Sequence, residues 1–248
     1  MLNKLYIGTS GWAYSHWKEI FYPASLPHEK RLEFYSKHFV TCEVNSSFYH
    51  LPQQKTIINW YNSTPEGFVF SVKAPRSITH LKRLFEVDDE WEKFKSRIEL
   101  LKEKLGPILL QFPPGFKKDE ENLQKLINFL RGKEKFRFAL EFRHKSWCNE
   151  QVYEILKSFN AAWVIADSSR YPGAKVVTAH FCYIRMHGPQ SLYSSSYSDK
   201  QLKELADEIR QYAKVCNEIY VYFNNDVNGC AVQNARSLLE LTAQIFEN

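Results

Sequence analysis

Short apolar runs alternate along the chain with longer segments in which apolar residues recur every three or four positions. The short runs have the length of buried strands, and the longer segments have the spacing of amphipathic helices. In Glu90–Lys104, for example, Phe94 and Ile98 fall on one face. The pattern therefore predicts a chain in which strands and helices alternate.

Eight strands are predicted, at Leu5–Gly8, Thr41–Asn45, Phe68–Lys73, Ile108–Phe112, Phe136–Phe142, Ala162–Ala166, Cys182–His187 and Ile219–Phe223. Helices are predicted at Glu29–Phe39, Gln53–Asn62, Glu90–Lys104, Asp119–Leu130, Glu150–Phe159, Asp199–Cys216 and Gly229–Phe246. The segment Ser168–Phe181 shows no clear helix. This alternation predicts a parallel sheet, and the count of eight favours closure into a barrel.

We therefore predict an α/β fold, a (β/α)8 TIM barrel that forms a single domain over residues 1–248, a length typical of such barrels. The alternative is an open, doubly wound sheet that binds a dinucleotide. That fold places Gly-x-Gly-x-x-Gly after its first strand, whereas Gly8-Thr-Ser-Gly11 has a different spacing. The barrel is therefore the better prediction.

Polar side chains follow the predicted strands at their carboxyl ends, where barrel enzymes carry their active sites. Glu141 and Arg143 end the fifth strand and, being two residues apart, point to the same face. The same spacing recurs in two further pairs, Glu43 with Asn45 and Arg185 with His187. The sequence thus predicts a polar, ligand-binding mouth.

Residues at these strand ends receive predicted roles. Proton-exchanging side chains are predicted to be catalytic, namely Glu43, Lys73, Glu141, Asp167 and His187. Arginine and lysine suit phosphate or carboxylate groups, and aromatic rings suit the faces of sugars or bases. Substrate-binding roles are predicted for Ser10, Trp12, Tyr14, Trp17, Asn45, Phe48, Tyr49, Gln111, Arg143, His144, Trp147, Arg185, Asn224, Asn225 and Asp226.

Structural interpretations of the same residues stay open. Glu43, Glu141, Arg143 and Arg185 would satisfy one another as a polar plug, with or without a site beside it. Each aromatic residue would also serve as packing over the rim of the barrel. The Ser-rich stretch His187–Tyr197 is predicted to be either a mobile lid or an ordinary surface loop.

No cofactor is predicted, and no residue is assigned as a metal ligand. A divalent metal is the alternative, and it would recruit Glu43, Glu141, His144, Asp167, His187 and Asp226. Arg143 and Arg185 beside these residues would repel a cation, which favours a site without a metal.

Composition limits the partners. The net charge of +5 arises from 33 Lys and Arg against 28 Asp and Glu, without a dense basic run. A small polar or anionic substrate therefore suits the chain, while nucleic acid is permitted but not indicated by charge alone. Five irregularly spaced cysteines predict free thiols and a cytoplasmic location, and no apolar window is long enough for a membrane. The oligomeric state is not indicated.

The chain resembles the DUF72 (YecE-like) family, uncharacterised bacterial and archaeal proteins with a TIM-barrel fold. The blocks that carry the resemblance are Gly8-Thr-Ser-Gly-Trp12 with Tyr14 and Trp17, Phe21-Tyr-Pro23, Glu43-Val-Asn45 with Ser47-Phe-Tyr49, Phe70-Ser-Val-Lys73, Gln111-Phe-Pro-Pro114, Glu141-Phe-Arg-His144 with Ser146-Trp147, Asp167, Tyr183-Ile-Arg-Met-His-Gly188, and Tyr222-Phe-Asn-Asn-Asp226 followed by Gly229, Asn234 and Ala235. The resemblance implies a barrel and brings no settled activity with it. Through its fold alone, the chain also resembles metal-using barrels such as endonuclease IV and xylose isomerase.

The functional hypothesis is an enzyme that performs acid/base chemistry on a phosphate- or sugar-bearing substrate at the barrel mouth. Two carboxylates near a cleft would also suit glycoside hydrolysis, for which their separation is decisive. One alternative is a metal-dependent, endonuclease-like phosphodiesterase that acts on DNA. The other is a binding module without catalysis, which captures a nucleotide or a nucleic acid strand.

Overall fold

The computed structural model describes residues 4–168, 170–171 and 173–246. Eight parallel strands form a sheet that curves into a nearly closed barrel, with helices between most of them, which confirms the predicted fold class. The strands are β1 Lys4–Thr9, β2 Thr41–Val44, β3 Val69–Lys73, β4 Leu105–Gln111, β5 Phe138–Glu141, β6 Ala162–Asp167, β7 Phe181–Met186 and β8 Glu218–Phe223.

The helices lie mainly outside the barrel and pack on it through apolar faces. They are α1 Arg31–Tyr35, α2 Ser46–Tyr49, α3 Gln54–Asn62, α4 Asp88–Ile98, α5 Glu120–Leu130, α6 Glu150–Ser158, α7 Asp199–Tyr212 and α8 Cys230–Phe246. Within the described ranges, no helix is long and apolar enough to cross a membrane.

Most predicted boundaries differ from the structure by a few residues, and the differences around the fourth strand have a clear structural basis. The predicted helix Glu90–Lys104 is α-helical only to Ile98 and continues as a 3-10 turn in which Lys102 has a φ of +49°. The following strand starts at Leu105, three residues before the predicted Ile108. Gly106 therefore lies within the strand. Its lack of a side chain allows β3 and β4 to approach closely, since a Cβ at this position would lie 2.6 Å from Val69.

The barrel closes unevenly. β1 pairs with β8 along six consecutive residue pairs, from Lys4 with Glu218 to Thr9 with Phe223. β1 and β2, in contrast, meet at one isolated bridge between Ser10 and the second strand. The sheet order is accordingly β1-β8-β7-β6-β5-β4-β3-β2.

Side chains complete the seam between β1 and β2. The Tyr35 hydroxyl accepts a hydrogen bond from the Thr9 amide at 2.9 Å and donates to the Thr41 carbonyl at 3.0 Å. Gly8 allows the strands to approach because a Cβ at this position would lie 2.3 Å from the Thr41 oxygen. A tyrosine from α1 thus replaces part of the missing strand pairing.

Alternate residues of each strand point into the barrel. The inner cluster is apolar and aromatic, made of Val69, Leu109, Ala139, Ala162, Val164, Ala166, Phe181, Tyr183, Tyr220 and Tyr222. Buried hydroxyls inside it are paired, since Tyr183 contacts Ser71 at 2.6 Å and Tyr222 contacts Thr41 at 2.7 Å. The same alternation places Glu141 and Arg185 one layer higher, towards the carboxyl ends of the strands.

Candidate functional site at the barrel mouth

The carboxyl ends of the strands surround an open cavity of about 440 Å³, which we call the mouth. It is lined by Tyr14, Asn45, Phe48, Tyr49, Lys73, His80, Gln111, Arg143, Arg185, Tyr193 and Asn224. These side chains lie at the carboxyl ends of strands β1, β2, β3, β4, β5, β7 and β8 or in the loops that follow them. Polar groups that are far apart in the sequence therefore share one cavity.

Below the mouth, Arg185 and Glu43 form a buried two-point ion pair. Arg185 Nε and Nη2 donate to the two carboxylate oxygens, at 2.9 and 2.7 Å. Further donors are Ser10 Oγ at 2.6 Å, Tyr183 OH at 2.7 Å and Asn45 Nδ2 at 3.1 Å. With five donors on two oxygens, this carboxylate is fully occupied.

Glu141 binds the other side of the same guanidinium. Its Oε2 accepts from Arg185 Nη1 and lies 3.4 Å from His187 Nε2. Its Oε1 accepts from Gln111 Nε2 at 2.8 Å and from Arg143 Nε at 3.1 Å. These charged side chains therefore pair with one another, as the polar-plug interpretation predicts. The paired groups lie beneath the mouth and leave its cavity open.

The charges of this buried group are fixed by one another. Burial is the largest single influence and alone would raise the pKa of Glu43 and of Glu141. Arg185, together with Ser10 and Tyr183 at Glu43 and with His187 and Arg143 at Glu141, outweighs it and holds the pKa of both carboxyls below the ordinary value. Burial alone would likewise lower the pKa of Arg185, and the two carboxylates raise it. All three groups are therefore ionised at neutral pH.

Lys73 lies at the end of β3 and points into the mouth with 9% of its surface exposed. Its Nζ donates to Gln111 Oε1 at 2.7 Å and lies 4.0 Å from the centre of the Phe48 ring. The buried carboxylates pair with Arg185 and Arg143 instead, and Lys73 forms no ion pair with any described residue.

This environment lowers the pKa of Lys73 to about 7. Burial is the main cause, and the nearby Arg185 adds to it, while Glu141 and Glu43 oppose the shift. Near neutral pH, the amine is consequently present in both protonation states.

His187 is fully buried beside Glu141, and its Nδ1 lies 3.2 Å from Asn224 Nδ2. Since the amide nitrogen can only donate, Nδ1 is the acceptor and the ring proton sits on Nε2, towards the carboxylate. Burial lowers the pKa of His187, and the attraction of Glu141 only partly offsets this. The imidazole is therefore neutral at neutral pH.

The sequence interpretation missed His80, which lines the mouth. It belongs to a π-helical turn, Ser77–Leu81, that follows β3. Burial, together with the positive charges of Lys73 and Arg143, lowers the pKa of His80 to about 4. Its position in the loop after a strand was the available signal, because such loops build the mouths of barrels.

The stretch His187–Tyr197 borders the mouth through Tyr193. Arg143 Nη2 donates to the Tyr193 hydroxyl at 3.0 Å, and the Tyr193 and His187 rings meet edge to face. The Gly188 amide donates to the buried Tyr197 hydroxyl at 2.8 Å, and this hydrogen bond links the two ends of the segment. The lid remains a prediction.

Several predicted site residues lie elsewhere. Asp167 points outwards, because Val164 and Ala166 occupy the inner positions of β6, and it lines a separate cavity beside α7. His144 turns its Nδ1 to Ser146 at 2.8 Å, and Trp147 is fully buried in the outer layer.

The residues after β1 and β8 that do not line the mouth hold loops together. Trp17 is fully buried and donates from Nε1 to Asp226 Oδ1 at 2.7 Å. Asn225 donates to the Ser195 carbonyl and to Asn234, both at 2.9 Å. Trp12 packs edge to face on Trp60 and borders another pocket.

The residues that a divalent metal would recruit are not gathered at one point. Asp167 faces away from the mouth, and Asp226 is bonded to Trp17 and His16. Within the described ranges, no group of three or more His, Cys, Asp or Glu side chains is arranged to hold a metal ion.

A model of the family described as "Protein of unknown function DUF72" matches residues 6–248. The chain belongs to the DUF72 family. The resemblance found in the sequence blocks is thereby confirmed.

Relatives of this DUF72 chain include the UPF0759 protein YunF of Bacillus subtilis, 29% identical over 96% of this chain and 94% of the relative. The UPF0759 protein YecE of Escherichia coli is 30% identical over 56% of this chain and 48% of its own length. Among solved structures, a DUF72 family protein from Thermotoga maritima has a TM-score of 0.86 and 30% identity, covering 99% of this chain and 100% of its own. A DUF72 family protein from Enterococcus faecalis has a TM-score of 0.83 and 21% identity, covering 96% of this chain and 95% of its own, and shows the shared fold.

Proposed function

We propose that this DUF72 protein is an enzyme that binds a small anionic substrate, bearing phosphate or carboxylate, in the mouth and acts on it by acid/base chemistry at Lys73. The observation that carries the proposal is a buried lysine without an ion-pair partner among the described residues, facing an open cavity with a pKa of about 7. A group with a pKa near the working pH is well suited to exchange protons.

The charge of the mouth supports an anionic ligand. Lys73, Arg143 and Arg185 line the cavity, whereas Glu43 and Glu141 do not line it and have their carboxylates occupied by Arg185. Arg143 is held by one hydrogen bond to Glu141 and one to a tyrosine, which leaves further guanidinium donors for a ligand. A cavity of this size suits a small molecule.

Glu43 and Glu141 take a positioning role in this proposal. Both carboxylates are ionised and paired with the same arginine, so neither is suited to donate a proton as a glycosidase acid would. His187 is neutral and buried next to Glu141, where it supports the carboxylate.

The test is a conversion experiment with a matched control. Wild-type protein, Lys73→Met and Lys104→Met are incubated with a mixture of phosphorylated and carboxylated metabolites, and the mixture is followed by mass spectrometry. Wild type and Lys104→Met should convert a component, and Lys73→Met should do so at least about 100-fold more slowly. Equal conversion by Lys73→Met, or none by wild type, would contradict the proposal.

A binding module for nucleotides is the second candidate, and the rim of the mouth supports it. Tyr49 is 65% exposed beside Phe48, so that its ring offers a free face to a base. Tyr49→Ala should weaken binding of AMP about tenfold and leave ribose 5-phosphate unaffected, measured by calorimetry. Phe85→Ala, which alters another exposed ring outside the mouth, is the control.

A further inference from the structure

Lys73 and Lys104 are both buried, with 9% and 5% exposure, but their surroundings differ. Lys104 Nζ donates to three oxygens, the Tyr61 carbonyl at 2.6 Å, the Thr64 carbonyl at 2.7 Å and the Thr64 hydroxyl at 3.1 Å. Three acceptors match the three protons of an ammonium group. Lys104 is therefore held as a structural cation.

Lys73 has one oxygen acceptor among the described residues, the Gln111 amide. A second side of the nitrogen faces the Phe48 ring. The remaining side faces the cavity that Arg143 and Arg185 also line, and the positive charges of both act against a protonated Lys73. An ammonium group is poorly satisfied here, and a neutral amine is favoured.

Gln111 fixes the orientation of that amine. Its amide nitrogen donates to Glu141 at 2.8 Å, so its oxygen must face Lys73. One N–H of the neutral amine is then directed to this oxygen and the other to the Phe48 ring. The lone pair is left facing the mouth.

We propose that the neutral amine of Lys73 attacks the carbonyl carbon of an aldehyde or ketone that also carries an anionic group, and forms an imine in the mouth. The inference rests on the proposed function and names the substrate class for that site. Arg143, which retains free guanidinium donors, binds the anionic group while the carbonyl approaches Lys73.

The reaction balances without an oxidant or a reductant. The nitrogen lone pair forms the C–N bond, and the π pair of the carbonyl moves to oxygen, which takes up the first of the two nitrogen protons. The second nitrogen proton then passes to the same oxygen, the C–O bond breaks, oxygen leaves as water, and the electron pair left on nitrogen forms the C=N bond. One amine and one carbonyl group yield one imine and one water, and hydrolysis reverses the step.

The imine would serve as an electron sink for the substrate. Once the imine nitrogen is protonated, it withdraws electrons from the carbonyl-derived carbon, and the adjacent carbon can then release a proton to solvent water in the open mouth while the C–H electron pair moves towards the imine nitrogen. Proton exchange at such a carbon is the acid/base chemistry that the site is proposed to perform.

Borohydride trapping tests the inference on the intact chain. Glyoxylate and pyridoxal 5′-phosphate, both anionic aldehydes, are incubated with wild-type protein, and sodium borohydride reduces any C=N bond to a stable amine. Peptide mass spectrometry then locates the label. Lys73 should be labelled at least tenfold faster than the surface lysines, Lys104 should remain unlabelled, and inorganic phosphate should protect Lys73.

Two further arms separate the possible failures. Lys104→Met should retain the label at Lys73, and pyridoxal without its phosphate should label Lys73 at least tenfold more slowly. If phosphate binds in calorimetry but both aldehydes label Lys73 no faster than surface lysines, the imine is refuted and the proposed function stands. If phosphate neither binds nor protects, the anion site itself is refuted.

Discussion

Gln111 Oε1 lies 2.7 Å from Lys73 Nζ, and the same amide donates through its nitrogen to Glu141. The carboxylate thereby determines which end of the amide faces the lysine. A buried glutamate that has no direct contact with Lys73 thus controls its hydrogen bonding. Since Glu141 also holds Arg185, one carboxylate positions both the amine and the guanidinium of the mouth.

Replacing Gln111 with methionine should lower the pKa of Lys73 below its value of about 7. The variant removes the acceptor that favours the protonated amine, while the shape of the side chain is nearly kept. The pH at which glyoxylate labelling of Lys73 is half-maximal should fall by about one unit. An unchanged midpoint would mean that the amide does not act on the lysine.

Lys73→Met should make the protein more stable, by roughly 2–4 kcal/mol at pH 7 in urea unfolding. Folding lowers the pKa of Lys73, so the unfolded chain binds the proton more tightly and the lysine disfavours the folded state. This cost is complete below pH 7 and disappears as the pH rises towards the ordinary lysine value. The stability advantage of Lys73→Met over the wild type should therefore decrease between pH 7 and pH 10.

Lys104→Met provides the contrast to that measurement. It removes three hydrogen bonds to oxygen and leaves the buried acceptors unsatisfied, so it should destabilise the protein. The expected result is therefore a higher free energy of unfolding for Lys73→Met and a lower one for Lys104→Met. A loss of stability in both variants would contradict the functional interpretation of Lys73.

Arg185→Met should destabilise the protein by about 3–5 kcal/mol, because it leaves the buried Glu43 without a cation and Glu141 with Arg143 alone. Arg185 lowers the pKa of Glu43 and Glu141, so its contribution is present above the unfolded carboxyl pKa and is lost on acidification. The deficit should accordingly be largest at neutral pH. Arg143→Met, with 12% side-chain exposure instead of 1%, should cost about 1 kcal/mol, and equal losses would contradict this assignment.

Gly8→Ala should destabilise the barrel by about 1–3 kcal/mol or more, since the new methyl group would meet the Thr41 oxygen at 2.3 Å across the seam. Gly115→Ala is the matched control, because its nearest contact would be Arg83 Nη2 at 3.8 Å. That variant should change the free energy of unfolding by less than about 0.5 kcal/mol. Equal effects in chemical unfolding would show that the strands are not in close contact at Gly8.

The sequence was sufficient to predict the barrel and much of its mouth. Strand alternation places Glu141 and Arg143 on the same side, and the structure has both at the carboxyl end of β5. Asp167 shows the limit of this reasoning, since a shift of one residue in a strand reverses the face. Only the register of β6, with Ala166 inside, places that carboxylate outside the barrel.

Local sequence patterns did not predict side-chain contacts between residues that are far apart in the chain. Nothing near Trp17 in the sequence indicates that its indole would bind Asp226. His80 was missed because its π-helical turn has no periodicity that a short segment would reveal. The low pKa of Lys73 arises mainly from its burial in the folded barrel and also from Arg185, which follows it by more than a hundred residues.

The uneven closure of the barrel has a consequence for biosynthesis. β1 obtains its backbone pairing from β8, whose last residue is Phe223, and shares one bridge with β2. As the ribosome releases the chain from its amino end, β1 has no continuous partner until β8, roughly two hundred residues later, has emerged. The strand is therefore made early but joins the sheet late, and chaperones would find it unpaired until β8 is available.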